Sequence, residues 1–438
     1  MTDALLPPAP PPPAPLAERV AERTLAGSAE QPGRLLILPT PVQQVVSLRG
    51  AVWAGLDLSA DLDDMALDLT TTLFDKGTTR RDRFAVAEAL EDRGAELGFY
   101  ADGLRVGFSG RCLAADLPDV LALLAEQLRE PALDEAEFEK AKQQTAAGLR
   151  RTLDSTGAQA GGLLSRRLFP PDHPDYHPDP QDDLARLDRL TVEHVRDFHR
   201  RHVGSDALVL ALVGDLDVER ATAAATDALG SWAPHGHAAT FAAEARPERP
   251  GRAERAIADR QNLDVRFGHA LDVRRGDPDY LALFAGVYVL GGSFSGRLMS
   301  TVRDEQGLTY GVGSRLAGMS VEHDGYWRTS ITLSQENLER GIEATLEQIR
   351  LFCEEGVTES ELREKLTAIA GGYKVGLATT GGLAASLLVN AERGFPTSYL
   401  DDYPRLIEAL TADEVNAAIR RYLDPEKLHV TVAGTLPT

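Results

Sequence analysis

The chain has 438 residues, 43% of them apolar and 26% charged, and no stretch approaches the roughly 18 consecutive apolar residues of a membrane-spanning helix. We therefore expect a soluble protein that is long enough for two or more compact units. Its 67 acidic and 46 basic residues give a net charge of −21, which disfavours binding to nucleic acid or to an anionic membrane surface.

The N-terminal region and the cysteine content bear on the compartment. Cys112 and Cys353 are too few for a disulfide framework and lack the paired spacing of a thiolate zinc site. The N-terminus has no positively charged region and owes its apolar character to prolines, so it does not read as a signal peptide. These features predict a cytoplasmic protein. The Pro- and Ala-rich residues 1–18 favour an extended conformation and are predicted to form a disordered arm.

Short apolar and alternating runs of strand type begin at Arg34, where we expect the folded part to start. From there, two halves repeat the same kinds of element in the same order. The first half runs through AVAEALEDRGAELGFYA, LRVGFSGRCL, LPDVLALLAEQLREP and LDEAEFEKAKQQ. The second half runs through LMSTVRDEQGLTYGVGS, GYWRTSITLS, LERGIEATLEQIRLFCEEG and VTESELREKLTAI. The order indicates an internal duplication.

Each half also closes alike, with a helix, a strand and a glycine, at residues 191–217 and 411–437. Thr191 and Thr411 are predicted N-caps, because an acidic residue follows each closely. Apolar and polar residues alternate in LRVGFSG and WRTSITLS, which is typical of a sheet with one solvated face.

These patterns predict an α+β fold made of two homologous α/β sandwich units, each an antiparallel-rich sheet covered by helices. We place the units at residues 19–232 and 252–438. Residues 233–251, rich in Ala, Pro, Gly, His and Arg, are predicted to be an exposed linker.

Residues 291–314, GGSFSGRLMSTVRDEQGLTYGVGS, resemble the second-half signature of the insulinase/pitrilysin family of zinc peptidases. The shared pattern is two glycines, a small-residue loop, Arg-Leu, an Arg, then Gly-Leu-x-Tyr. The segment RQNLDVRFGHALDVRRGDPDYLAL and both half-closing segments resemble further parts of that family, so the similarity spans nearly everything from Arg34 onward. The resemblance implies that the two units form a clamshell.

Active chains of that family carry the inverted zinc motif HxxEH on a helix, with a more distant glutamate as a further ligand. Aligned on the shared Lys-Gly-Thr at 76–78, this chain has one carboxylate and two hydroxyls at the motif positions, namely Asp68, Thr71 and Thr72. The distal position falls at Ala147 or Gly148, and no histidine precedes His173. Without two imidazoles and a general base, we predict no zinc and no catalytic residue in this chain alone.

Arg303 and Tyr310 keep the spacing of an Arg/Tyr pair that the family places opposite its zinc site. A guanidinium can hold a peptide carbonyl, and a phenol can donate to a developing oxyanion. Viewed without the resemblance, Arg303 would be a solvated ion pair and Tyr310 a core residue. The adjacent loop is predicted to bind an extended peptide through Gly291, Gly292, Ser293 and Phe294, or alternatively to be a tight turn that needs positive φ.

Other histidines and serines give weaker indications. His199 and His202, with His194 nearby, share a helix end whose dipole their basic neighbours complement, so a metal role is disfavoured. His173 and His177 lie in a proline-rich loop that resembles a family loop of conformational role. A GxSxG elbow, a GxGxxG motif and a P-loop are all absent from the sequence, which argues against serine hydrolase chemistry and nucleotide binding.

Three functions are consistent with these residues. The first is a non-catalytic, substrate-binding subunit of a heterodimeric zinc endopeptidase, in which an HxxEH-bearing homologous partner holds the zinc and unfolded peptides are the substrates. The second is a structural assembly protein, as in the core subunits that descend from this family. The third is a homodimer that binds peptides without proteolysis.

Overall fold

The computed structural model describes residues 14–27, 32–55, 60–237, 244–245 and 250–436. Residues 1–13 of the predicted arm and most of the predicted linker lie outside the described residues. Among the described residues, no helix combines the length and the apolar character needed to cross a bilayer.

The first unit is a six-stranded mixed sheet with its helices. The strands are β1 (Ala21–Gly27), β2 (Pro32–Pro39), β3 (Val45–Trp53), β4 (Glu96–Asp102), β5 (Arg105–Leu113) and β6 (Val209–Gly214). The helices are α1 (Leu16–Arg19), α2 (Asp63–Leu73), α3 (Arg83–Glu91), α4 (Leu117–Arg129), α5 (Glu135–Leu153), α6 (Thr156–Leu168), α7 (Pro180–Arg189), α8 (Val192–His202) and α9 (Val218–Leu229). The strand order is β1-β2-β6-β3-β5-β4, and β2 and β6 form its one parallel pair in the described part.

The second unit is a five-stranded sheet with its helices. The strands are β7 (Arg252–Ala256), β8 (Asn262–Leu271), β9 (Val312–Ala317), β10 (Gly325–Ser334) and β11 (His429–Gly434). The helices are α10 (Tyr280–Gly291), a π-helix (Met299–Glu305), α11 (Leu338–Glu355), α12 (Glu359–Gly376), α13 (Thr380–Glu392), α14 (Tyr399–Glu408) and α15 (Ala412–Tyr422). The strand order is β7-β11-β8-β10-β9, with β7 and β11 parallel.

The two sheets confirm the predicted duplication and fold class. The order β2-β6-β3-β5-β4 in the first sheet corresponds strand for strand to β7-β11-β8-β10-β9 in the second. Each sheet joins one parallel pair to antiparallel neighbours. The first unit adds the helix α1, the edge strand β1 and the helix α9 to this common plan.

The strand β2 is apolar at consecutive positions because both of its faces are covered. Leu35 and Ile37 pack into the core that α2, α4, α5 and α8 form with the inner face of the sheet. Leu36 and Leu38 point to the outer face and belong to the apolar cluster that α13, a helix from the second half of the sequence, forms over β6 and β3. Burial on both faces removes the alternation expected of a half-solvated strand.

The second sheet receives a helix from the first half in return. The helix α6 lies on the outer face of β8 and β11, where Thr156 Oγ1 donates to Asp264 Oδ2 (2.6 Å) and Thr431 Oγ1 donates to the Ala160 carbonyl (2.8 Å). Each unit therefore covers one sheet face with a helix from the other. The sequence boundaries at 232 and 252 follow chain order but do not separate two independently packed bodies.

The prediction of a disordered arm through residue 18 was wrong for its described end. The short helix α1 docks on α14, where the backbone N–H groups of Leu16 and Ala17 donate to the Asp401 carboxylate (3.0 and 2.9 Å). The strand β1 then pairs with β2, so the fold begins well before Arg34. A carboxylate at a helix N-terminus is a stabilising anchor that composition alone does not reveal.

Candidate functional site

The three motif positions lie on α2. The side-chain hydroxyls of Thr71 and Thr72 both donate to the Asp68 backbone carbonyl (2.9 Å each), so they satisfy the helix backbone. Asp68 keeps an exposed surface, yet burial by the surrounding protein, with the negative charges of Asp64 and Asp183, raises its pKa to about 6. Of the three motif positions, only Asp68 therefore offers a ligand atom, whereas a zinc site needs three protein ligands.

The distal position lies on α5, which packs against α2. Gly148 offers only its carbonyl, which accepts a hydrogen bond from Thr152 Oγ1 (3.1 Å), and Ala147 has no ligating atom in its side chain. The elements that would build a zinc site are therefore present and packed together, while the ligands are substituted.

We expect this chain to bind zinc at α2 no more tightly than a single surface carboxylate does, with a Kd weaker than about 10 μM, because tight sites use three or four ligands. Calorimetric titration of EDTA-dialysed protein with Zn²⁺ checks this. The Asp68→Ala variant is the control. Tight binding that Asp68→Ala abolishes would contradict the expectation, whereas tight binding that survives the substitution would place the ion elsewhere.

Gly291 and Gly292 lie so close to neighbouring atoms that a side chain would not fit at either position. A Cβ on Gly291 would lie 2.5 Å from the Ser314 nitrogen on β9, and one on Gly292 would lie 2.4 Å from the Tyr288 ring. Neither glycine has positive φ, so the alternative of a turn that requires it does not apply here. Ser293 follows them half-buried, and Phe294 projects outward with 69% of its surface exposed.

Arg303 lies on the π-helix, a form that is frequent at functional sites. Its guanidinium stands over the Phe294 ring, 4.7 Å from the centroid, and Nη1 donates to Asp304 Oδ1 (2.7 Å). The sequence alone suggested an ion pair for Arg303, and Asp304 provides it. The contact with Phe294 joins Arg303 to the glycine-rich loop, which the sequence did not show.

Tyr310 is 96% exposed, so it is not a core residue. It precedes β9, where Thr309 Oγ1 donates to the Thr332 carbonyl (2.5 Å) and accepts from the Gly311 N–H (3.1 Å), fixing the chain on either side of the phenol. Arg303 and Tyr310 line one groove of about 550 Å³. The structure therefore brings the two predicted residues to the same open surface.

The histidines at the end of the first unit have structural partners. His194 Nδ1 accepts the Thr191 N–H (3.0 Å), completing a capping box in which a histidine takes the place of the expected acid. His199 Nε2 bonds a carbonyl of α4 (2.8 Å), and His202 stacks on Phe198 with centroids 4.7 Å apart. Burial lowers the pKa of both His199 and His202, so they favour the neutral form.

His173 and His323 meet where the two units touch, a contact that the sequence did not indicate. Together with Asp175, their ligand atoms lie within 4.8 Å of one another. The Asp175 N–H donates to His173 Nδ1 (3.0 Å), and His173 Nε2 lies 3.2 Å from Asp324 Oδ1. In this pattern the neutral ring carries its proton on Nε2 and has no free lone pair for a metal. The contact between His173 and Asp324 joins the two units.

A pocket of about 360 Å³ lies beside this group, between the units. Arg105 on β5 pairs with Glu322 (2.5 Å) and Glu392 (3.5 Å), which the second half supplies, and stands 5.0 Å from the Trp53 ring. Burial opposes the charge of both carboxylates, yet Arg105 lowers the pKa of Glu322 while the pKa of Glu392 rises to about 7. This ion cluster was not predicted from the sequence.

Comparison with known proteins matches both halves of this chain to one peptidase family. The sequence profile described as the peptidase M16 inactive domain matches residues 189–369, and that of insulinase (peptidase family M16) matches residues 69–156. An uncharacterised zinc protease of Streptomyces coelicolor is 24% identical over 405 residues, covering 90% of this chain and 86% of that protein.

Two further relatives are named as inactive. A non-peptidase homologue of Helicobacter pylori is 21% identical over 372 residues, 84% of this chain and 83% of its own length. The crystal structure of a peptidase M16 inactive domain from Pseudomonas fluorescens superposes with a TM-score of 0.84 at 25% identity, covering 95% of this chain and 98% of that one. This chain, with both matching profiles and no HxxEH, belongs to the insulinase family, peptidase family M16, as one of its non-catalytic members.

Proposed function

We propose that this chain is the substrate-binding subunit of a two-chain zinc endopeptidase, in which a homologous HxxEH-bearing partner holds the zinc and performs hydrolysis. The observation that carries the proposal is the groove shared by Arg303 and Tyr310 in a chain that lacks its own zinc ligands. A tyrosine that is 96% exposed contributes little to packing, so its position favours a role in binding.

The groove has the chemistry to hold an extended peptide. Arg303 presents a guanidinium that Phe294 and Asp304 orient, and guanidinium groups bind peptide carbonyls through fixed, forked donors. The phenol of Tyr310 can donate to a carbonyl oxygen that gains negative charge during hydrolysis. The strand β9 lies at the edge of the second sheet, pairs with β10, and begins two residues after Tyr310, so a peptide that passes the phenol meets this sheet edge.

The test is reconstitution with an HxxEH-bearing homologue from the same genome, using a fluorogenic peptide. We expect the pair to hydrolyse the peptide and either chain alone to be inactive. Arg303→Ala and Tyr310→Phe should each lower kcat/KM of the pair about tenfold, the equivalent of about 1.4 kcal/mol of transition-state stabilisation.

Arg363→Ala is the matched control. This arginine lies on the outside of α12 and pairs with Glu359, and its substitution removes the same charge as Arg303→Ala does. Full turnover in pairs that carry Arg303→Ala and Tyr310→Phe would contradict the proposal and support a structural assembly role. A wild-type chain that binds unfolded polypeptide as a homodimer and forms no complex with any HxxEH homologue would support the peptide-binding alternative instead.

A further inference from the structure

A buried lysine lies beneath the glycine-rich loop. Lys365 on α12 is only 7% exposed, and its ammonium donates to the carbonyl (2.8 Å) and to Oγ (2.5 Å) of Ser295. Among the described residues, no carboxylate lies within ion-pair distance of it. Burying an ammonium is costly unless its donors are satisfied, and both of its hydrogen bonds go to one loop residue, so Lys365 ties this loop to α12.

A second clamp acts on the same loop from the same helix. Arg297, at the loop's end, makes a bidentate ion pair with Glu361 (2.7 and 2.8 Å) and donates to the Gly356 carbonyl (2.6 Å). The hydrogen bonds from Arg297, and those from Thr358, lower the pKa of Glu361 to about 2. Glu361 and Lys365 are four residues apart and therefore lie on one face of α12.

The held loop carries the aromatic platform of Arg303. Ser295 follows Phe294 directly, and the exposed Phe294 ring lies under the Arg303 guanidinium at 4.7 Å. An arginine side chain loses rotamer freedom when it is fixed, so a platform that fixes it beforehand lowers the entropic cost of binding. A platform can do this only if its own loop is ordered.

We propose that Lys365 is a positioning residue, which orders the Phe294 loop through Ser295 and so fixes Arg303 for peptide binding. The effect of Lys365 on peptide binding rests on the proposed function, since it requires that Arg303 contacts the peptide. The ordering of the loop is a property of this chain alone. The two can therefore be measured separately.

The experiment compares Lys365→Met with Lys374→Met, an exposed lysine on the same helix that pairs with Glu408. We expect hydrogen exchange of the amides at 292–297 to become about tenfold faster in Lys365→Met and to stay unchanged in Lys374→Met. Binding of fluorescein-labelled β-casein, an unfolded polypeptide, should weaken about fivefold in Lys365→Met alone. Lys365→Arg, which keeps the donors, should restore part of both.

The Ser295→Ala variant tests the same contact from the loop side, and it should raise loop exchange by a smaller factor because the carbonyl acceptor remains. Unchanged exchange at 292–297 in Lys365→Met, with the fold intact by circular dichroism, would overturn the positioning role. Faster exchange with unchanged casein affinity would overturn its link to binding. If Arg303→Ala binds casein as tightly as the wild type does, both alone and with an HxxEH-bearing partner, the proposed function is contradicted. The ordering of the loop would still be supported by the exchange data.

Discussion

Leu387→Ala is expected to lower the free energy of unfolding by about 2–5 kcal/mol, the usual range for deleting a fully buried leucine side chain. Leu387 lies on α13, is 1% exposed, and belongs to the apolar cluster between this helix and the outer face of the first sheet. The sheet and the helix come from opposite halves of the chain. The cavity therefore weakens the contact that joins the two units.

Denaturant unfolding followed by tryptophan fluorescence checks this, because Trp53 and Trp232 report on the first unit and Trp327 on the second. We expect Leu387→Ala to shift the transitions of both units together, since α6 and α13 are exchanged between them. Leu406→Ala, at a leucine that is 45% exposed on α14, is the control and should cost well under 1 kcal/mol. Separate transitions for the two units would show that the exchange does not couple them.

The duplication could be predicted because both halves show the same order of local apolar patterns. The exchange of helices between the units could not be predicted in this way. The apolar positions of α13, such as Leu383 and Leu387, say that a face is buried but not which sheet buries it. The consecutive apolar residues of β2 gave a strand, and only the structure shows that its outer face is covered by the far half of the chain. Pairing between distant segments has no sequence signal of this kind.

The candidate site shows the same division. Arg303 and Tyr310 were found through the spacing of the resemblance, and exposure of Tyr310 follows from its place before an edge strand. Lys365 looks like an ordinary solvated charge on an amphipathic helix, and its burial depends on where the loop before the π-helix comes to lie. His323 and Glu392 acquire their roles only when the units meet, so neither could be singled out in advance.

Glu392 gives the contact between the units a dependence on pH. Burial raises its pKa from 4.5 to about 7, against the opposing effect of Arg105. Between these values the folded chain holds a proton that the unfolded chain has released, so folding takes up a proton. The contribution of Glu392 to stability is therefore fully present below about pH 4.5 and is lost as the pH rises through 7.

The Glu392→Gln variant, which stays neutral, should escape this loss. Relative to wild type, its free energy of unfolding should increase by about 2–3 kcal/mol between pH 5 and pH 8, at about 1.4 kcal/mol per unit of pKa. Arg105 keeps Glu322 as its partner in the variant, so no guanidinium is stranded. Denaturant titrations at both pH values, with the exposed Glu408→Gln as control, measure the difference, in which the titration of the buried histidines cancels. A Glu392→Gln difference that is constant from pH 5 to pH 8 would mean that Glu392 stays ionised in the fold and that Arg105 outweighs its burial.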